Sequence, residues 1–173
     1  MKSALIASII LILLVTVVFL YGIIAPDHIT LQQEISVEAP EPAVYNLLTS
    51  FADYKSWSPV VELSHFSDKE KTRRVCYHIN SHKMSLTESC MSFPDAHTIQ
   101  FVQTDSLPSA TLFNINQHVV LKALADGSTT VQWSLEYNHH SLTGRILDRW
   151  FVQPKMRRFL SAHLQGLKNY LER

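Results

Sequence analysis

The chain has 173 residues, as many basic as acidic side chains, and only four glycines. A formal net charge of zero excludes a whole-chain field that would recruit nucleic acid, so no nucleic-acid partner is expected. A hydrophobic content of 46% excludes a disordered chain and suits one packed domain plus an appendage.

The appendage comes first. Residues 4–25, ALIASIILILLVTVVFLYGIIA, carry no charge, and Ser8 and Thr16 are their hydroxyl breaks. As a helix rising ~1.5 Å per residue they span ~33 Å, enough to cross a hydrocarbon core of ~30 Å. A cleaved signal peptide has a shorter apolar core and small residues before the cut. Here Ile23 and Ile24 precede Ala25, and Pro26 would follow the cut. The reading is an uncleaved transmembrane anchor over residues 1–26, followed by one domain over residues 27–173. Lys2 lies before the span, and Asp27, Glu34 and Glu38 follow it. Positive-inside reasoning keeps the N-terminus in the cytoplasm and exports the domain, to the periplasmic side of a bacterial inner membrane.

After the anchor, PDHITLQ reads as a connector into a first strand, LQQEISVEA, with Leu31, Ile35 and Val37 as its apolar marks. Pro40 and Pro42 end that strand and open a helix, because proline is tolerated in a helical first turn. Val44, Leu47, Leu48 and Phe51 follow at i, i+3, i+4 and i+7, one apolar helical face. FADYKSW predicts a second, very short helix stopped by Pro59, since the residue before proline resists the α region.

The strand signals VVELSHF, RRVCYHIN, KMSLTESCMSF, HTIQFVQT, LFNINQHVVLKAL and STTVQWSLEYN come next. Polar or turn-rich breaks separate them, including SDKEKT, NSH, FPDA, TDSLPS and ADG, which predicts an antiparallel meander. Phe113, Ile115, Val119, Leu121 and Ala123 share one parity, as do Val131, Trp133, Leu135 and Tyr137. That period of two predicts a sheet with one face on a core and one in water. LTGRILDRWFVQ begins a closing helix that Pro154 either kinks or restarts. Met156, Leu160, His163, Leu164, Leu167 and Leu171 continue it as a stripe at helical spacing.

Charge is uneven along the chain. Residues 27–70 hold eight acidic and two basic side chains, whereas residues 141–173 hold seven basic and two acidic. The basic end reads as the solvated face of a helix, with contact to anionic lipid headgroups as the sharper alternative. Cys76 and Cys90 flank the turn expected at Ser81–Lys83. Strands paired symmetrically about residue 83 would set the two cysteines opposite one another, close enough for a disulfide. Two unpaired thiols are the alternative.

The order of strand, two short helices, meander and long final helix makes this an α+β chain of helix-grip type. It resembles the SRPBCC, or START-like, superfamily, and within it polyketide cyclase/dehydrase-type proteins with an N-terminal membrane anchor. The residues that carry the resemblance are ISVEAPEPAVYNLL, then Trp57-Ser58-Pro59, DGSTTVQWSLEY and LQGLKNYLE, spread over residues 29–172. The glycine-rich loop of the plant pathogenesis-related branch is replaced by SDKEKTRR. The resemblance implies a curved antiparallel sheet around the C-terminal helix, with a cavity between them for an apolar or amphipathic small molecule. Tyr77, Phe101, Phe113, Ile115, Gln117 and Trp133 are its candidate lining from the sheet's first part. Leu135, Tyr137, Phe159, His163 and Leu167 complete it, with Gln117 and Tyr137 as polar contacts that would orient a ligand. The aromatic members Tyr77, Phe101, Phe113, Trp133 and Tyr137 read as core by default.

No phosphate-binding loop, dinucleotide glycine pattern, GxSxG or HExxH is present, so no cofactor is expected. The nine histidines lack zinc-ligand spacing, and no metal site is expected. Glu88, His118, Glu136 and His163 are the acid–base candidates, but His118 and Glu136 carry solvent-side parity. His163 reads first as a core histidine. The leading expectation is therefore a membrane-tethered, non-catalytic domain that binds a hydrophobic small molecule or lipid. A pocket enzyme of cyclase/dehydrase type and an envelope protein-interaction domain without a small ligand are the other two.

Overall fold

The computed structural model describes residues 2–50, 54–67, 72–79, 82–93, 97–104, 113–139 and 141–173. The chain begins with α1 (Lys2–Ile24), then β1 (His28–Val37), α2 (Glu41–Thr49) and α3 (Tyr54–Trp57). The meander comprises β2 (Val61–Ser67), β3 (Thr72–Ile79), β4 (His82–Phe93), β5 (Thr98–Gln103), β6 (Phe113–Ala123) and β7 (Thr129–Asn138). α4 (Leu142–Leu147) runs through a π-helical turn (Asp148–Val152) into α5 (Gln153–Leu171). The seven strands form one antiparallel sheet in the order β1-β7-β6-β5-β4-β3-β2, with α5 packed across its buried face. This is the helix-grip fold.

The alternation read in β7 is complete: Thr129, Val131, Trp133, Leu135 and Tyr137 are buried and the residues between them are not. Ile115, Gln117, Val119 and Leu121 repeat the pattern in β6, while Ala123 at the end of the strand is exposed. A bulge interrupts β6 between Phe113 and Asn116. On α5 the expected stripe faces inward, with Met156, Leu160, His163, Leu164 and Leu167 buried and Leu171 at the margin. Val44 and Leu48 of α2 are buried, and Phe51 lies outside the described residues.

Pro154 restarts the closing helix, one of the two expected outcomes: it occupies the first turn of α5, where its missing N–H costs nothing, and the irregularity falls before it in the π-helical turn. Two expectations need correction. β1 begins at His28, because residues 28–32 of the supposed connector pair with β7, His28 opposite Asn138 and Leu31 opposite Leu135. The β3–β4 hairpin pairs Ile79 with His82, so its centre lies between residues 80 and 81 rather than at 83. That register sets Cys76 opposite Ser85 and Cys90 opposite Phe101. Ser85 and Cys90 are five positions apart along β4, roughly 17 Å, beyond the reach of a disulfide. Cys76 is a free cysteine whose thiol lies 3.7 Å from Ser85 Oγ.

The far end of α5 is clasped to the sheet. Lys168 Nζ donates to the Ser36 carbonyl at 2.8 Å, and Glu172 Oε1 accepts from the Glu38 N–H at 2.8 Å. Thr129 Oγ1 donates to the Ala39 carbonyl at 2.8 Å and holds the exit of β1 against β7.

Candidate ligand-binding site

The inward parity of β3, β4, β6 and β7 carries polar groups as well as apolar ones, and the sheet brings them into one line. Trp133 Nε1 donates to Gln117 Oε1 at 3.1 Å, and Gln117 Nε2 donates to Glu88 Oε1 at 2.9 Å. Tyr77 Oη donates to both Glu88 oxygens, at 3.0 and 3.3 Å. Tyr54 Oη lies 3.4 Å from Tyr77 Oη and 2.7 Å from His163 Nε2, where Ser58 Oγ also approaches to 3.2 Å. A continuous hydrogen-bonded chain thus runs from β7 across the sheet to α3 and α5. Every member is buried. Burial of so many polar side chains is tolerable because every one of these residues makes at least one hydrogen bond within the line.

Aromatic rings enclose the His163 end. The rings of Phe159, Trp133, Trp57, Tyr54 and Tyr77 lie with centroids 4.7, 5.1, 5.6, 5.6 and 5.9 Å from the imidazole. His163 is thus a core histidine, held by two hydroxyls inside a cage of rings.

A second buried polar centre lies where β7 meets the π-helical turn. Asp148 Oδ1 lies 2.8 Å from both Tyr137 Oη, which donates to it, and His139 Nε2. Gln153 Nε2 donates to Oδ2 at 2.6 Å. Burial, and next the hydrogen bond to Asp148, hold the Tyr137 phenol far above its ordinary pKa. Tyr137 is therefore neutral and a donor throughout the physiological range.

The sequence-derived lining residues Tyr77, Phe101, Ile115, Gln117, Trp133, Leu135, Tyr137, Phe159, His163 and Leu167 are all buried between sheet and α5. The side chain of Phe113 lies outside the described ones, although its backbone is in β6 opposite Asn138. Tyr54, Ser58, His139 and Asp148 also belong to these networks, and sequence reasoning missed them. Glu88 had a legible signal, a carboxylate sharing the parity of Leu86, whereas Asp148 had none, because Tyr137 and His139 reach it from the end of β7 and only Gln153 is its helical neighbour. His118 and Glu136 sit half-buried on the outer side of the sheet. Among the described residues, no three His, Cys, Asp or Glu side chains gather as metal ligands.

Among the described residues, one helix is long and apolar enough to cross a membrane, the segment Ile6–Ile24 of α1. Its large side chains are mostly exposed, so the protein itself does not bury them.

The fold is shared with solved proteins of low sequence identity. An aromatase/cyclase, Zhui, from Streptomyces sp. R1128 superposes with a TM-score of 0.72 at 14% identity, covering 84% of this chain and 94% of that one. A protein from Thermus thermophilus gives 0.70 at 19% identity, covering 83% and 97%. A START superfamily protein from Mycobacterium smegmatis gives 0.63 at 13% identity, covering 83% and 97%. No curated protein matches the sequence. The family described as polyketide cyclase / dehydrase and lipid transport matches residues 28–172, from the first residue of β1 to the end of α5. That match spans the whole sheet and its helix, and the chain belongs to this family.

Proposed function

We propose that this protein is a membrane-tethered START-like domain that binds a hydrophobic small molecule or lipid between its sheet and α5, without transforming it. The observation that carries this reading is the polar line Trp133–Gln117–Glu88–Tyr77 set into an otherwise apolar wall. Apolar side chains there would stabilise the fold at least as well. The line holds Gln117 in one orientation, and its Oε1, which accepts one bond from Trp133, keeps a second lone pair for the polar group of an amphipathic ligand. Rings fill the space around His163, so this reading seats the ligand towards the start of α5, beside Ile115, Leu135 and Tyr137. The apolar α1 supports the tether, which raises the domain's local concentration where such ligands partition. Lys2 before the span and three acidic residues after it favour a non-cytoplasmic domain.

Native mass spectrometry of the full chain, released gently from detergent, tests the reading. The expected spectrum contains an adduct of lipid or apolar-metabolite mass, weakened by Gln117→Leu. Spectra that stay empty across preparations would sink it.

One observation favours a pocket enzyme of cyclase type as the second reading. The chain from Glu88 through Tyr77 and Tyr54 to His163 connects a carboxylate to an imidazole, the two groups that acid–base chemistry employs. Chemical change of the co-purified molecule on incubation, abolished by His163→Gln, would favour it over simple binding.

A further inference from the structure

The C-terminal end of α1 does not project freely from the domain. Gly22 faces α4 so closely that a Cβ there would lie 2.7 and 2.8 Å from Ile146 Cγ1 and Cδ1. One residue earlier, the ring of Tyr21 lies 5.9 Å from that of Trp150 in the π-helical turn. Trp150 and Phe151 are 59% and 60% exposed, and Leu147 is 41% exposed. These three stand at i, i+3 and i+4, one face of the α4–π segment. The segment therefore turns an uncovered apolar face outward at the level where the apolar span ends.

Beside that face lies a pocket of about 530 Å³ between the end of α1 and the start of α5. Its lining includes Arg145, Arg149 and Arg157, with Tyr21, Pro26 and Gln153. Among the described residues, Arg145 Nε is buried without a hydrogen-bond partner, and its Nη2 lies 3.7 Å from the exposed Asp27 Oδ2. Asp148 also lines the pocket, but its oxygens are already taken by Tyr137, His139 and Gln153. Three guanidinium groups thus surround one space whose carboxylate is engaged elsewhere. Guanidinium forks match phosphate oxygens in pairs. Tryptophan and tyrosine settle at the headgroup level of a bilayer.

We propose that this pocket binds the phosphate headgroup of an anionic phospholipid from the bilayer that α1 crosses, while Leu147, Trp150 and Phe151 dip into the interface. The occupant follows from position: the cationic space opens beside the end of the apolar helix and an apolar rim, so a phosphate there brings its acyl chains into the membrane. The inference rests on the reading of α1 as a membrane span. It is independent of what occupies the sheet–helix space.

The test uses the full-length protein in nanodiscs of equal parts phosphatidylglycerol and phosphatidylcholine, compared with the triple variant R145Q/R149Q/R157Q. Lipids retained after detergent release are identified by native mass spectrometry, and alkaline carbonate extraction of membranes reports insertion of α1 separately. Retention should favour phosphatidylglycerol, and that preference should fall about fivefold for each arginine removed, with carbonate resistance unchanged. Brominated lipid should quench the exposed Trp150 and leave the buried Trp57 and Trp133 bright, so W150F abolishes most quenching. Retention of the two lipids in equal measure, or a preference untouched by the triple variant, overturns the proposal. Displacement of the lipid by millimolar inorganic phosphate alone makes this a site for free phosphate and overturns it too. Extraction of the wild-type chain by carbonate overturns the membrane-span reading itself, and the headgroup site with it. Should the triple variant lose its circular dichroism, R149Q/R157Q, which alters only two exposed side chains, gives the same reading from two arginines.

Discussion

Tyr54 and His163 stand 109 positions apart in sequence, yet Tyr54 Oη lies 2.7 Å from His163 Nε2 inside the core. This one hydrogen bond ties α3 to α5 and completes the polar line that crosses the sheet. Tyr54→Phe removes the hydroxyl and leaves buried polar groups of that line short of a partner, at a cost of about 1–3 kcal/mol. Chemical denaturation should register the loss with an unchanged slope. A neutral Tyr54→Phe would mean that Ser58, 3.2 Å from the same nitrogen, satisfies the imidazole alone.

Gly166 tests how tightly α5 is seated. A Cβ there would fall 2.4 Å from the Trp57 carbonyl oxygen and 2.4 Å from Pro59 Cδ. Alanine ordinarily gains up to about 1 kcal/mol over glycine inside a helix. Overpacking against backbone and a rigid ring costs about 1–3 kcal/mol, so the clash decides the sign. Gly166→Ala should lower the melting temperature. A rise would show that the loop after α3 yields freely.

Tyr137 supplies a pH signature. Its folded pKa is raised above the ordinary tyrosine value of 10.0 by burial, and next by the hydrogen bond to Asp148. A raised folded pKa gives a contribution that is complete below the unfolded value and is lost as pH climbs through the folded one. Above about pH 10, stability should therefore fall by up to ~1.4 kcal/mol per pH unit from this group. Ultraviolet titration of the folded protein should be the same for wild type and Tyr137→Phe until unfolding begins. An extra ionisation near pH 10 in the wild type would refute the assignment.

Cys76 should react with a maleimide in native membranes without reductant, because the hairpin register sets it opposite Ser85 rather than Cys90. Mapping of a peptide pair joined through Cys76 and Cys90 would require a different register for β3 and β4.

For topology, a reporter active only outside the cytoplasm should work when fused after Arg173. Activity from a cytoplasm-only reporter at the same place would reverse the orientation drawn from Lys2 and the acidic residues beyond the span.

Sequence by itself determined the elements and their buried faces. The uncharged run before Pro26, the alternation through Val131, Trp133, Leu135 and Tyr137, and the stripe from Met156 to Leu167 each repeat at the period of the backbone they form. Periodicity says which side of an element is buried, but not which residue of another element meets it there. Only the tertiary structure decided that the β3–β4 hairpin centres between residues 80 and 81, which separates the two cysteines. It likewise decided that Tyr54, Glu88 and His163 share one line, and that Arg145, Arg149 and Arg157 gather beside Tyr21. Those meetings depend on docking between segments far apart in sequence, 109 positions for Tyr54 and His163, where packing and hydrogen-bond satisfaction select a partner that no local pattern encodes.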